Sequence, residues 1–405
     1  MRTIWQRKKI EDLCHFTNGL WRGKSRPFVN AGVIRNTNFT KEGLLDDSDI
    51  AYLEVEKKQF EKRKLVFGDI ILEKSGGGPK QPVGRVVVFN KMSGDFSFSN
   101  FTSAIRIKSS SELDFHFLHK YLFYSYLSGI TEAMQNHSTG IRNLDLKLYK
   151  KIAIPLPTLP EQHRIVKILD VIFEQIAKAK ENAEKNVRNL KELFETYLLR
   201  SFAYVGVHRQ GIKLKDLGQI TSSKRIYKKE YVNVGIPFYR IKEVKELAHN
   251  KEVSIELYIS KKRYSEIKKR FGVPKPGDIL MTAVGTIGEI YVVKNNGEFY
   301  FKDGNVLWFK NFNSVDSSFL RYILMSFVEQ IKKLSRGTAY NALTIEKIEE
   351  HTLSIPPLTE QRSIVSRLDS LSAQIRKLES IYKQKLIALE ELKKSILQKA
   401  FAGEL

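Results

Sequence analysis

The sequence holds one cysteine, Cys14. A lone thiol cannot close an internal disulfide or build a cysteine-rich zinc site. The eight histidines show no metal-ligand spacing. No apolar run reaches the ~20 residues that a membrane-crossing helix needs. The richest apolar stretch, residues 115–130, is broken by His116, His119 and Lys120. The first residues, MRTIWQRKKIED, are charged almost at once and contain no signal-peptide apolar region. These absences predict a cytoplasmic chain with no membrane partner.

Signatures of catalysis are equally thin. No Ser-His-Asp arrangement stands out, and there is no Asn-Pro-Pro-aromatic motif of the kind amino-methyltransferases use to hold a flipped base. Asp69, Glu73 and Lys74 crowd together like the cluster of a metal-dependent nuclease. However, Glu73 and Lys74 are adjacent, and only alternate residues of a strand face one site. The second half has Asp278 and Thr282 instead, so Asp69 and Asp278 read as turn residues before a strand. The run Gly19 to Ser25 is one residue short of a phosphate loop and lacks the flanking strand and helix. Gly76-Gly77-Gly78 and Gly285-Thr286-Ile287-Gly288 fit tight turns as well as they fit a nucleotide. No catalytic, cofactor-binding or metal-ligating residue emerges.

Positive charge is abundant. With 68 Lys and Arg against 45 Asp and Glu, the 405-residue chain carries a formal net charge of +23. Its hydrophobic content, 42%, is ordinary for a globular protein. Its length suffices for two or more cored domains. Such a charge excess costs self-repulsion and favours an anionic partner, most often nucleic acid.

A second feature is a long-range repeat. Residues 154–166 read IPLPTLPEQHRIV and residues 355–365 read IPPLTEQRSIV. Each opens a long segment free of Pro and Gly that ends in a phenylalanine, Phe202 or Phe401. Glu161 matches Glu360 and Phe202 matches Phe401, both at an offset of 199 residues. A constant offset through a whole segment marks an internal repeat. The apolar positions of the first segment are Ile165, Leu169, Ile172, Ile176, Ala179, Ala183, Val187 and Leu190. Those of the second are Ile364, Leu368, Leu371, Ile375, Leu378, Tyr382, Leu386 and Leu389. The steps alternate four and three with one extra four, so both read as heptad seams carrying the same stutter. Thr158 and Glu161 fit a capping box for the first helix, Thr359 is the expected cap of the second, and Gly403 is the expected stop. About 40 residues span roughly 60 Å of helix. The simplest partner for each seam is the other copy. Parallel and antiparallel pairings both set small residues against large ones, and the topology of a two-fold repeat favours antiparallel.

Each long helix follows a globular segment with a shared order of elements. Gly68-Asp69-Ile70-Ile71-Leu72 matches Gly277-Asp278-Ile279-Leu280-Met281, a turn into a buried strand. A helix follows in each half, started by Asp114 or Asp316 as N-cap. Polar loops then follow, Asn136 to Asn143 or Ser335 to Asn341. The predicted organisation is an α+β unit at 1–157, a long helix at 158–203, a second α+β unit at 204–356 and a long helix at 357–405. One scaffold with divergent loops suggests two sites of one kind for different ligands.

Base edges are read by Arg, Lys, Asn, Gln, Ser and Thr on loops that reach a groove. In the first half the candidates are Arg35, Asn36, Asn38, Lys74, Ser75, Lys80, Gln81, Ser138, Thr139, Arg142 and Asn143. In the second they are Arg240, Lys242, Thr282, Thr286, Arg336, Thr338, Tyr340 and Asn341. They fall at equivalent positions of the two halves. A coiled-coil scaffold for RNA is the alternative reading, and a stand-alone nuclease or methyltransferase is a weaker one.

The doubled proline-to-Glu-Gln entry into a long helix, one after each variable unit with its Gly-Asp-Ile step, resembles the specificity subunit of type I restriction–modification enzymes. The resemblance covers essentially the whole chain. It implies two pseudo-two-fold related α+β target recognition domains joined by two long helices forming an antiparallel coiled coil. Each domain would read half of a split double-stranded DNA target, and the coil would set the gap. It implies a subunit without catalysis or cofactor of its own. Such a subunit would dock two modification subunits that methylate adenine from S-adenosylmethionine. The partners implied also include motor–nuclease restriction subunits, and ATP and Mg would serve the partners. The second entry, IPPLTEQ, is shorter than IPLPTLPEQ, which puts the local geometry there in question.

Overall fold

The computed structural model describes residues 5–21, 23, 25–78, 81–138, 140–206, 211–334 and 344–405. The chain divides into two compact units, Met1–Ala183 with Lys383–Leu405, and Glu184–Tyr382.

The first unit begins with β1 (Gln6–Lys9), α1 (Ile10–Leu13), β2 (Cys14–Asn18), β3 (Phe28–Ile34), β4 (Ala51–Glu56) and α2 (Lys57–Glu61). It continues with β5 (Ile70–Glu73), β6 (Ser75–Gly77), β7 (Val86–Val88), β8 (Phe96–Phe98), β9 (Thr102–Ile107) and α3 (Phe115–Leu127). It closes with β10 (Gln135–Ser138), β11 (Ile141–Leu144), α4 (Leu146–Tyr149), β12 (Ala153–Leu156) and the start of α5 (Leu159–Gly206). The main sheet runs β2-β9-β5-β7, all antiparallel. Its inner strand β5 is buried at every position, as a continuous apolar run requires. Gly68 adopts φ +88° and the Asp69 carboxylate accepts from the Val66 N–H at 2.9 Å, so the Gly-Asp pair makes the turn into β5. A second sheet, β4-β3-β8, includes a parallel pair between β3 and β8.

The second unit repeats this order with β13 (Ile212–Lys213), α6 (Leu214–Leu217), β14 (Gln219–Ser222), β15 (Tyr231–Val232), β16 (Ile236–Tyr239) and α7 (Ile241–Ala248). Next come β17 (Tyr258–Ile259), α8 (Lys261–Phe271), β18 (Ile279–Thr282), β19 (Ile290–Val292), β20 (Tyr300–Phe301) and β21 (Val306–Lys310). The last elements are α9 (Ser317–Leu334), α10 (Ile345–Glu349), β22 (Thr352–Leu353) and α11 (Leu358–Phe401). The sheet β14-β21-β18-β19 is the counterpart of β2-β9-β5-β7. Asp278 again accepts the N–H three residues back, from Lys275 at 2.9 Å. Asp114 caps α3 by accepting from Phe117 N, and Asp316 caps α9 by accepting from Ser318 N and Phe319 N.

The doubled Glu-Gln entry has a structural explanation. Gln162 is fully buried, and its Oε1 accepts from Asp114 N at 2.8 Å. Its Nε2 donates to Glu112 O and Pro157 O, both at 2.9 Å. Gln361 repeats the arrangement, accepting from Asp316 N at 2.8 Å and donating to Pro356 O at 2.8 Å. Each glutamine ties the start of a long helix to the N-cap of α3 or α9. In a buried setting such groups must be paired, so the shorter second entry keeps the same latch.

Both long helices contribute to each unit. In the first unit, Ile165 and Leu169 of α5 share a core with Leu397, Ala400 and Phe401 of α11. Lys180 meets Glu390 at 3.0 Å and Arg164 meets the Leu405 carbonyl at 2.7 Å, an antiparallel order. In the second unit, Leu198 of α5 shares a core with Ile364 and Leu368 of α11. Phe401 packs on Phe117 at 5.4 Å between ring centres, and Phe202 packs on the matching Phe319 at 5.5 Å. The seams therefore run beyond Leu190 and Leu389 to these phenylalanines.

Several expectations change. Leu378 is 41% exposed and lies outside the buried stripe; a 3.5-residue pattern drifts around a 3.6-residue helix, and Leu378 lies one seam step before Tyr382, where the stutter begins. Ile165, Leu169, Ile176, Ala183, Ile364, Leu368 and Ile375 are buried, and Ile172, Ala179, Val187, Leu190, Leu371, Tyr382, Leu386 and Leu389 are half-buried. The second helix starts at Leu358, so Thr359 sits in its first turn and is not its cap. Glu161 turns to Arg164, at 2.7 and 2.8 Å, instead of closing a capping box on Thr158. Gly403, at φ +72°, ends α11 as expected, with Glu404 N donating to Lys399 O. Within the stretch from Asn136 to Asn143, the residues up to Ser138 and from Ile141 onward are paired antiparallel strands, β10 and β11, and β11 finds a further partner in β6.

Candidate nucleic-acid interface

The first unit gathers part of its expected reading set into one cleft. Lys74 is held by its backbone, its N donating to Phe101 O at 2.9 Å and its O accepting from Leu144 N at 2.8 Å. Ser75 Oγ donates to Asn143 Oδ1 at 2.5 Å. These three residues line an open cleft of about 530 Å³ together with Asn100, Asn136 and Lys147. Lys74 Nζ also donates to Asn18 Oδ1 at 3.0 Å. Asn18, Asn100 and Asn136 were not singled out from sequence. Contacts such as Lys74 to Asn18 span 56 residues, and no local pattern signals them.

Other expected readers are committed internally. Asn38 is 1% exposed, accepts from Arg35 N and donates to Asp49 O, so it holds a turn and cannot reach a groove. Thr282 is fully buried, donates to the Thr286 carbonyl and accepts from Glu289 N, which makes it part of the β18–β19 turn. Arg35 pairs with Asp49 at 3.1 Å and Arg142 with Glu132 at 3.3 Å. Asn36 lies 3.4 Å from the Glu73 carboxylate. Arg240 is bound by Glu243 and Glu256, both at 2.7 Å, and Lys242 pairs with Glu256. These hydrogen bonds raise Arg240 well above the ordinary guanidinium range. A phosphate would have to compete with carboxylates already in place. Gln81 and Thr286 are exposed. Ser138 ends β10. Lys80, Thr139, Arg336, Thr338, Tyr340 and Asn341 lie outside the described residues.

Asp69 and Glu73 are buried and each faces a guanidinium, Arg106 at 2.7 Å and Arg85 at 2.8 Å. The nuclease-like trio is thus divided between two ion pairs and the cleft. Among the described residues no group of three or more His, Cys, Asp or Glu could hold a metal ion. Burial pushes the Cys14 thiol up to about 12, as suits a core residue. Among the described residues no helix is long and apolar enough to cross a membrane.

A further basic feature went unread in the sequence. Both units place a lysine-rich helix just before their Gly-Asp-Ile step. In α8, Tyr264 and Ile267 are buried, and the other face carries exposed Lys261, Lys262, Lys269 and Arg270. Among the described residues these four make no ion pair, whereas Arg263 meets Glu230 and Lys268 meets Glu298. In the first unit α2 and its following turn expose Lys58 and Lys62, also unpaired among the described residues. Neighbouring Lys57 and Lys64 pair with Glu61 and Asp95.

Comparison with known proteins agrees with this architecture. The description "Type I restriction modification DNA specificity domain" matches residues 3–186 and 209–390. A Haemophilus influenzae chain bearing the name of a type I restriction enzyme specificity subunit is 29% identical over 272 residues, 65% of this chain and 66% of that relative. The MjaVIII specificity subunit of Methanocaldococcus jannaschii is 28% identical over 310 residues, 70% of each chain. A solved chain from a type I R-M system has the same fold, with a TM-score of 0.80 at 19% identity over 99% of this chain and 98% of that one. Two matched domains that together cover most of the chain decide the matter: it belongs to the family of type I restriction–modification DNA specificity subunits, which recognise DNA and do not catalyse.

Proposed function

We propose that each unit reads one half of a split, asymmetric DNA target and that the paired long helices set the gap between the halves. The reading domains are residues 1–157 and 204–356, and the spacer helices are 158–203 and 357–405. The observation that carries this reading is one scaffold used twice with different chemistry at the same point. Lys74 N donates to Phe101 O, and Ala283 N donates to Asn305 O at the same 2.9 Å. The backbone is conserved between the halves while the side chain changes from a cation to a methyl. Two units that differ in this way suit two different half-sites. The basic α8 and α2 supply the sequence-independent attraction to phosphates.

The coil is also the surface on which two modification subunits dock, with motor–nuclease restriction subunits joining them in the cytoplasm. S-adenosylmethionine, ATP and Mg²⁺ then serve those partners, and this chain supplies the address. The test is to map adenine methylation in cells carrying this chain with its modification subunit. The wild type should yield one split, asymmetric motif that vanishes when this chain is deleted. Removing seven residues from each long helix should change the gap and leave both half-sites intact. Altered half-site bases with an unchanged gap would refute the ruler role. RNA binding without any motif would favour the scaffold reading.

A further inference from the structure

The cleft beside Lys74 carries hydrogen-bond donors on one wall. Asn18 Oδ1 accepts from both Lys74 Nζ at 3.0 Å and Ser103 Oγ at 3.3 Å. Asn143 Oδ1 accepts from Ser75 Oγ at 2.5 Å. Of these two amides only Asn143 lines the cleft, and among the described residues its NH₂ group makes no hydrogen bond. An ammonium has three N–H bonds, and Lys74 uses one of them on Asn18. The one carboxylate lining the cleft, Asp145, caps α4 through Oδ1, which accepts from the N–H groups of Lys147 and Leu148 at 2.8 and 3.2 Å. On the Lys74 side, what the cleft offers a ligand is a cation with the Asn143 amide on the same lining. The Lys74 backbone is fixed on both sides, by Phe101 O and by Leu144 N of β11, and its side chain starts from that fixed point.

In the major groove, guanine presents two adjacent acceptors, N7 and O6. Adenine pairs an acceptor with a donor, thymine pairs an acceptor with a methyl, and cytosine offers a donor. A pair of convergent donors therefore selects guanine. We infer that Lys74, with the Asn143 amide beside it, reads a guanine in the half-site of the first unit. This rests on the half-site reading proposed above. In the second unit Ala283, 2% exposed, occupies the same backbone position. A lysine reading from this position belongs to the first unit's half-site.

A phosphate oxygen would satisfy the same donors, so the test must separate a base from the backbone. The complex of this chain with its modification subunits is titrated with duplexes of the mapped motif. In each duplex one guanine is replaced by 7-deazaguanine, which lacks the N7 acceptor. Wild type should lose about tenfold in affinity at one guanine of one half-site, the scale of a single base contact. Lys74→Gln should abolish that position-specific loss, and Lys74→Arg, which keeps convergent donors, should retain it. An equal loss in wild type and Lys74→Gln would overturn the inference. So would a motif without guanine in either half, or a Lys74→Gln chain weakened equally on every duplex, which would mark a phosphate contact. A wild-type chain that directs no motif at all would fail earlier, against the half-site reading itself.

Discussion

The two units share a frame and differ in how they brace it. In the first, the end of the central strand is Glu73, buried and bound by Arg85 through two bonds of 2.8 Å. In the second the same position is Thr282, which ties its turn with a hydroxyl. The segment between Glu73 and Gly84 is long enough to form β6 and pair with the β10–β11 hairpin, while Thr282 to Gly288 is a short turn. Conversely, the second unit adds α7 and the basic α8 where the first has only the short α2. The lesson is that the frame is set by apolar strands, capping aspartates and the glutamine latches. Its reading edges are free to be rebuilt from charged or neutral parts.

The largest contrast should appear at the braces. Arg85→Met leaves Glu73 buried and unpaired and should destabilise the first unit by about 3–5 kcal/mol. Thr282→Val should cost the second only about 1–2 kcal/mol. Hydrogen exchange read separately on each unit would check both, and equal effects would break the contrast. Gln162→Leu orphans three backbone partners and should cost about 3 kcal/mol, against about 2 kcal/mol for Gln361→Leu. Urea unfolding of the two variants measures that difference.

Acid should act more strongly on the first unit. Burial holds His119 down to about 4. Its folded value lies below its unfolded value near 6.5, so below that pH the unfolded chain binds the proton first. Stability is present above pH ~6.5 and is lost as pH falls toward 4, by up to about 3 kcal/mol. His119→Phe should flatten the acid dependence measured by thermal unfolding of the first unit. Burial lowers His351 in the second unit in the same direction, so a smaller slope should remain there.

The smallest change per residue should be in salt dependence. Replacing Lys261, Lys262, Lys269 and Arg270 with Gln should reduce the slope of log affinity against log salt by up to about 3.6, at ~0.9 per phosphate contact. Lys58→Gln with Lys62→Gln should reduce it by up to about 1.8. Titrations of one cognate duplex at several salt concentrations would show it, and the methylated motif should not change.

Periodicity made the long helices legible, because their seams persist over many turns, and the Gly-Asp-Ile and capping-aspartate signals located strands and helices in both units. The site was harder to read. Asn38 and Thr282 are polar residues in loop-like contexts, yet both are buried as turn braces. Arg240 and Lys242 are neutralised by Glu256, an acid from a separate segment. The cleft itself sets Asn100 and Asn143 on one lining with Lys74, whose ammonium also meets Asn18, and all three asparagines are distant from it in sequence. A single sequence shows which residues are polar, not which polar groups already satisfy one another.

The central claim is that each unit governs one half of the target independently. Its most direct test is to replace residues 74–83 with the shorter counterpart, residues 283–287, and map the methylated motif again. The account predicts that one half of the motif changes while the other half and the gap stay as they were. A change in both halves, or in neither, would contradict it.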